Sequence, residues 1–159
     1  MPASENAQNV RLQVDRLGSS AMSPEHLMSG IVSVLHQNMP KYNWVGFYML
    51  EKSESVLALG PFLGATTPHR RIPLNQGICG AAASSGQTIV VDDVHCDRRY
   101  LACSIETKSE IVVPVFARGQ VVGELDIDSR FPAAFTPEDR ELVEHCASVV
   151  GKYLESAHS

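Results

Sequence analysis

Cys79, Cys96, Cys103 and Cys146 are the thiols of a 159-residue chain, and a thiol acts as a nucleophile only as its thiolate, so the setting of each decides its role. Cys79, in Gly77-Ile78-Cys79-Gly80, falls near the start of a small-residue run that reads as a short helix. The positive end of the helix dipole would favour thiolate there. Packing of a small apolar side chain among alanines is the competing reading. Cys103, in Tyr100-Leu101-Ala102-Cys103-Ser104, falls in an irregular stretch with Arg98, Arg99 and Lys108 close in sequence, any of which could favour a thiolate. Cys96 lies in the same stretch with nothing to show what it faces, and Cys146 falls on the apolar stripe of the last helix, where it reads as core.

Carboxylates form the second group. Asp126 and Asp128 flank Ile127 on a predicted strand, and side chains two apart point the same way, so both acids share a face. Glu110 stands at the entrance to the preceding strand, and a short turn at Arg118-Gly119-Gln120 would bring all three acids together. Such a trio suits a cation or an ammonium group, and a carboxyl whose proton affinity is raised by burial and like charge can act as a general acid. Solvation of a strand end is the plainer alternative. Trp44 and Tyr48, an even number of residues apart, share a face and could wall an apolar slot, or simply pack. His69 and His95 raise a structural zinc site, which is set aside because no Cys-x-x-Cys or His-x-x-x-His spacing occurs. No histidine-acid arrangement around a serine supports a serine hydrolase.

The elements that must hold these residues are marked by punctuation. A helix is expected from Ser4 to about Leu17, broken by Gly18-Ser19-Ser20. A second starts at Pro24 after the cap Ser23, buries Leu27, Ile31, Val34 and Leu35, and stops before Pro40. Asn43 to Leu50 and Val56 to Leu59 read as a hairpin, and Thr88 to Val91, Ile111 to Ala117 and Val121 to Ile127 as further strands. Gly77 to Gly86 reads as a short helix, and Thr136-Pro137-Glu138-Asp139 caps a last one. Strands in the middle with helices at both ends imply an α+β fold, an antiparallel sheet covered on one face by the terminal helices. The stretches 60–76 and 92–109 are expected to be irregular and to carry function.

Composition narrows the class. With 44% hydrophobic and 19% charged residues, the length fits one domain, 1–159. Lysine plus arginine count 13 against 18 acids, a net charge of −5 with no basic run, which disfavours nucleic acid and anionic membrane as partners. No apolar run approaches the roughly 20 residues that span a bilayer, and MPASENAQNV lacks a signal-peptide core, so a cytoplasmic location is expected. Four cysteines are too sparse for a disulfide scaffold.

Asn43-Trp44-Val45-Gly46-Phe47-Tyr48, Leu59-Gly60-Pro61-Phe62, Arg71-Ile72-Pro73, Gly77-Ile78-Cys79-Gly80, Ser109-Glu110-Ile111-Val112-Val113-Pro114 and Leu125-Asp126-Ile127-Asp128-Ser129 together resemble the free methionine-(R)-sulfoxide reductase family. The resemblance implies a stand-alone GAF fold that reduces the R epimer of free methionine sulfoxide with no bound cofactor, its thiols restored by a thioredoxin-like dithiol. By position it makes Cys103 the attacking cysteine, Cys79 the cysteine of the Gly-x-Cys-Gly motif, Glu110, Asp126 and Asp128 the pocket acids, and Trp44 and Tyr48 the pocket aromatics. One departure stands out: the family's usual upstream resolving cysteine falls at His69 here. Cys79 becomes the preferred resolving partner, with Cys96 or an external thiol as alternatives. The rival classes are a non-catalytic GAF ligand sensor, against which the missing cyclic-nucleotide signature and the lack of an attached output module argue, and a thiol redox switch. The first helix could cover a second copy as readily as its own sheet, which leaves a homodimer open.

Overall fold

A computed structural model describes residues 4–100 and 106–156. Helix α1 (Glu5–Ser20) is capped by Ser4, whose hydroxyl accepts from the Ala7 amide. It runs through Gly18 rather than breaking there. A β-carbon at Gly18 would lie 2.7 Å from a Val149 methyl, so the glycine marks a close helix–helix approach instead of a stop. Helix α2 (Pro24–Asn38) begins as expected, with Ser23 accepting from the His26 amide and proline in the first turn. Of its expected stripe, Leu27, Ile31 and Leu35 are fully buried, while Val34 only borders the core.

Six strands form one antiparallel sheet in the order β3-β2-β1-β6-β5-β4: β1 (Trp44–Glu51), β2 (Val56–Leu63), β3 (Arg71–Pro73), β4 (Ile89–Val91), β5 (Ser109–Ala117) and β6 (Gln120–Ser129). The stretch 60–76, expected to be irregular, contributes two pieces of this sheet. Strand β2 continues through Gly60 and Pro61 to Leu63. Proline is tolerated because β3 pairs only with Val56, Leu57 and Ala58 and because the β1–β2 register shifts between Gly46 and Tyr48, so no ladder amide is needed there. Between β5 and β6 the turn uses Arg118 and Gly119, both with positive φ, and the Arg118 amide donates to the Glu155 carboxylate.

Both faces of the sheet are covered, where the sequence suggested one. Helices α1, α2 and α4 (Pro137–Ser156) bury Val45, Phe47, Ile111, Val113, Leu125 and Ile127 on one side. On the other, the short helix α3 (Gly77–Ser85) closes a second, smaller core with Trp44, Tyr48, Leu57, Ile72 and Val112. The extra cover follows from α3 being too apolar to remain solvated. Helix α1 packs on α2 and α4 and buries Ala7, Val10 and Val14 within its own chain, leaving Leu12 exposed.

The strongest local signal, at the start of α4, is a reciprocal capping box. The Asp139 amide donates to Thr136 Oγ1 while the Thr136 amide donates to Asp139 Oδ2. Asp139 also takes a hydrogen bond from the buried Tyr42 hydroxyl, which ties the cap to the loop before β1. Thr136→Ala removes one cap acceptor, and urea denaturation should show a loss of about 1 kcal/mol; an unchanged midpoint would mean that the cap contributes nothing to α4.

Candidate active site

Strict alternation on β6 sends Leu125 and Ile127 into the helix-covered core and sends Glu124, Asp126 and Asp128 to the α3 side. Register supplies the rest. On β5, Glu110 lies opposite Asp128, and on β1 the partners of Asp128, Asp126 and Glu124 are Trp44, Gly46 and Tyr48. Four acids thus lie on one sheet face, and all are buried, Glu124 at 0% and Glu110 at 5% exposure. Glu110 is in hydrogen-bonding contact with both Asp126 and Asp128.

Trp44 and Tyr48 wall this face. The Trp44 indole stacks on Tyr48 at 6.3 Å and on Phe62 at 5.6 Å between ring centroids. It can lie across Gly46 only because that residue has no side chain: a β-carbon there would sit 2.4 Å from the ring. Two hydrogen bonds then hold the segment after β2 over the sheet. Trp44 Nε1 donates to the Ala65 carbonyl at 2.9 Å and the Tyr48 hydroxyl to the His69 carbonyl at 2.8 Å. The result is a small cavity lined by Tyr48, His69, Cys79, Glu110 and Asp126, with Asp128 opening onto a neighbouring hollow beside Trp44 and Thr67. A larger groove between α4 and β5 carries none of these acids; its walls include Phe116, Arg140 and Lys152.

Cys79 reaches the same cavity as the third residue of α3, and its Sγ lies 3.4 Å from Asp126 Oδ2. The expected thiolate is not what the surroundings favour. Burial first, then the charges of Asp126, Glu124 and Glu110, push its proton affinity well above the ordinary thiol value, which outweighs the helix dipole. Cys146 is core, as its position on the stripe suggested, with burial pushing its thiol up to about 12. Cys96 is exposed and its thiol donates to Asp93 Oδ2 at 3.4 Å, a bond that holds it protonated. Cys103 lies outside the described residues. Of its basic sequence neighbours, Arg99 is engaged in an ion pair with Asp97.

Sequence reasoning missed Glu124, although the alternation that joined Asp126 to Asp128 extends back to it by two residues. It also read His69 as a rejected zinc candidate and a departure from a pattern, whereas the fold puts that residue on the cavity wall. The zinc argument from spacing missed a different grouping. Cys79, Glu110 and Asp126 come from α3, β5 and β6, so no short-range motif could show them.

Burial is the largest cause raising the proton affinity of all four carboxyls, with the Asp126 charge next for Glu110, Glu124 and Asp128. None forms an ion pair with a lysine or arginine among the described residues. Among the described residues one oxygen each of Asp126 and Asp128 has no hydrogen-bond partner, and Glu124 meets only the Cys79 thiol. The arrangement can hold protons at neutral pH, donate them, or accept a cation.

The profile of the GAF domain matches residues 23–154. The chain is 37% identical over 122 residues to free methionine-R-sulfoxide reductase of Escherichia coli, covering 77% of this chain and 72% of that protein. The chain belongs to the free methionine-R-sulfoxide reductase family. Solved structures agree with the fold throughout. The Neisseria meningitidis free methionine-R-sulfoxide reductase, determined in complex with its substrate, superposes with a TM-score of 0.88 at 32% identity, covering 99% of this chain and 95% of that one. The fRMsr of Staphylococcus aureus in its reduced form gives 0.87 at 36% identity over 96% of both chains. As a family member the chain is an oxidoreductase on a GAF fold. Among the described residues no helix is long and apolar enough to cross a membrane.

The carboxyl cluster has a stability consequence with a definite sign. Each buried acid binds its proton more tightly folded than unfolded, so the folded state carries more protons above the ordinary carboxyl range near pH 4. The resulting penalty is absent below that range and grows as pH rises toward the folded-state value, by at most about 1.4 kcal/mol per pH unit per group. Urea denaturation between about pH 4.5 and 7.5 should therefore give a shallower fall in stability for Glu124→Gln than for the parent chain; equal slopes would contradict a buried, proton-holding Glu124.

Proposed function

We propose that this protein reduces the R epimer of free methionine sulfoxide to methionine by cysteine chemistry, in a reducing cytosolic setting. The observation that carries this reading is the cluster of buried acids beside a stacked aromatic wall, with Cys79 on the same cavity. An ammonium entering the cluster supplies the positive charge that the carboxyls lack, so they can ionise around it without the cost of an unpaired buried charge. A peptide-bound methionine sulfoxide has no such ammonium, which makes the cluster a filter for the free amino acid. Trp44 and Tyr48 offer apolar faces to the S-methyl end.

Cys103 is the proposed nucleophile. Its thiolate attacks the sulfoxide sulfur while a pocket acid protonates the oxygen. Transfer of that oxygen to the cysteine releases methionine and leaves a sulfenic acid. Glu110 is the preferred donor because it contacts both Asp126 and Asp128, so a proton lost to substrate is drawn from a shared set. The Cys79 thiol then condenses with the sulfenic acid, giving a disulfide and water, with Asp126 at 3.4 Å placed to accept the thiol proton. A thioredoxin-like dithiol reopens the disulfide by exchange. The raised proton affinity of Cys79 fits a resolving role: the thiol stays quiet until an electrophilic sulfur is formed beside it.

Purified protein with a dithiol and separate R and S epimers tests the assignment. Reduction of the R epimer should be strongly preferred, and Cys103→Ser should lower kcat by at least about a thousandfold. Glu110→Gln should lower kcat/KM by about a hundredfold or more, through the lost proton donor and the lost charge together. Cys79→Ser should slow dithiol-linked recycling more than Cys96→Ser. Turnover that survives Cys103→Ser would remove the proposed nucleophile, and the reverse order of the other two cysteines would refute the resolving assignment.

A further inference from the structure

We propose that the reduced protein carries a zinc(II) site built from Cys79 Sγ and one carboxylate oxygen each of Glu110 and Asp126. The three ligand atoms lie within 4.8 Å of one another, and they are delivered by α3, β5 and β6. Cys79 Sγ and Asp126 Oδ2 are already 3.4 Å apart. In a tetrahedral site with Zn–S of about 2.3 Å and Zn–O of about 2.0–2.2 Å, the sulfur–oxygen edge is about 3.5 Å, so the pair needs little movement to share a metal.

A second observation points to a cation independently of this spacing. Asp126 is 3% exposed, yet among the described residues its Oδ1 has no hydrogen-bond partner, and the fully buried Glu124 carboxyl meets the Cys79 thiol on the same side of the sheet. Buried carboxyl oxygens without partners are costly, and a divalent ion answers several at once. His69 lines the same cavity.

The donor set selects the metal. Calcium takes six to eight oxygens and magnesium keeps near-octahedral oxygen coordination, whereas one thiolate with two carboxylates and room for a further ligand suits a borderline-soft ion that accepts four. Binding changes no oxidation state. The zinc–sulfur bond replaces the sulfur–hydrogen bond, and that proton, with those held by the carboxyls, leaves for solvent. A metal held there occupies the space between Cys79 and the acids and removes Cys79 from thiol exchange. The site stands on these distances and on the unpartnered Asp126 oxygen, and does not depend on the substrate reading.

Protein kept reduced with a phosphine and titrated with Co2+, then Zn2+, decides the matter. One equivalent of Co2+ should raise a thiolate-to-cobalt charge-transfer band. One equivalent of Zn2+ should abolish it, with proton release visible by calorimetry in buffers of different ionisation enthalpy. Cys79→Ser should lose the band, and Cys96→Ser should keep it in full. Asp126→Asn, which leaves the sulfur in place, should weaken Zn2+ by at least about tenfold, with far-ultraviolet circular dichroism checking that each variant is folded. A band that survives Cys79→Ser or vanishes in Cys96→Ser overturns the proposal. So does undiminished Zn2+ affinity in Asp126→Asn, or parent protein that gives no thiolate band at one equivalent.

Discussion

Like charge buried without a counter-charge is the constraint that organises this molecule. Glu110, Glu124, Asp126 and Asp128 occupy one face of two adjacent strands, shielded from water and unpaired with lysine or arginine among the described residues. Such a cluster lowers the stability of the empty chain, since each carboxyl must give up hydration for little in return. It persists because the opposite face of the same strands packs a large apolar core against α1, α2 and α4. Alternation lets one strand serve both ends: a single-residue slip of β6 would drive its acids into the helices and its leucine and isoleucine into the cavity.

The two faces divide the labour. The helix-covered side fixes register through Val45, Phe47, Val113 and Leu125, while the α3 side holds the buried carboxyls and Cys79. The small helix delivers Cys79 into a negative field that opposes ionisation, whereas the same position at the dipole's positive end would ordinarily promote it. An aromatic stack then closes the cavity. Trp44 lies flat on a glycine, and its indole, with the Tyr48 hydroxyl, anchors the chain between β2 and β3. The cavity wall and the segment over it thus depend on the same two strand residues.

The starts of α2 and α4 and the β5–β6 hairpin were legible because their signals are local: a capping serine or threonine before proline, an apolar stripe, a turn of two residues with positive φ; the end of α1 was not, because Gly18 serves a contact with α4. The convergence of Glu110 on Asp126 and Asp128 was legible for the same reason, since one hairpin register fixes it. Strand β3, the extension of β2 through Pro61, and the second core were not, because they rest on pairing and burial between segments far apart in sequence. The dipole argument at Cys79 failed on the same ground: its carboxyl neighbours come from other elements. Glu124 was visible in the pattern yet passed over, because a lone glutamate on a strand reads as a solvated face until the facing helix is known.

On the proposed function, the buried acids read the charge of a free amino group. Comparing kcat/KM for methionine-(R)-sulfoxide and its N-acetyl derivative removes that charge while keeping the sulfoxide and its stereochemistry. The account predicts a fall of at least about a hundredfold on acetylation, equivalent to roughly 2.7 kcal/mol of lost charge recognition. Equal values would contradict it, because the carboxyl cluster would then be irrelevant to the substrate it is proposed to hold.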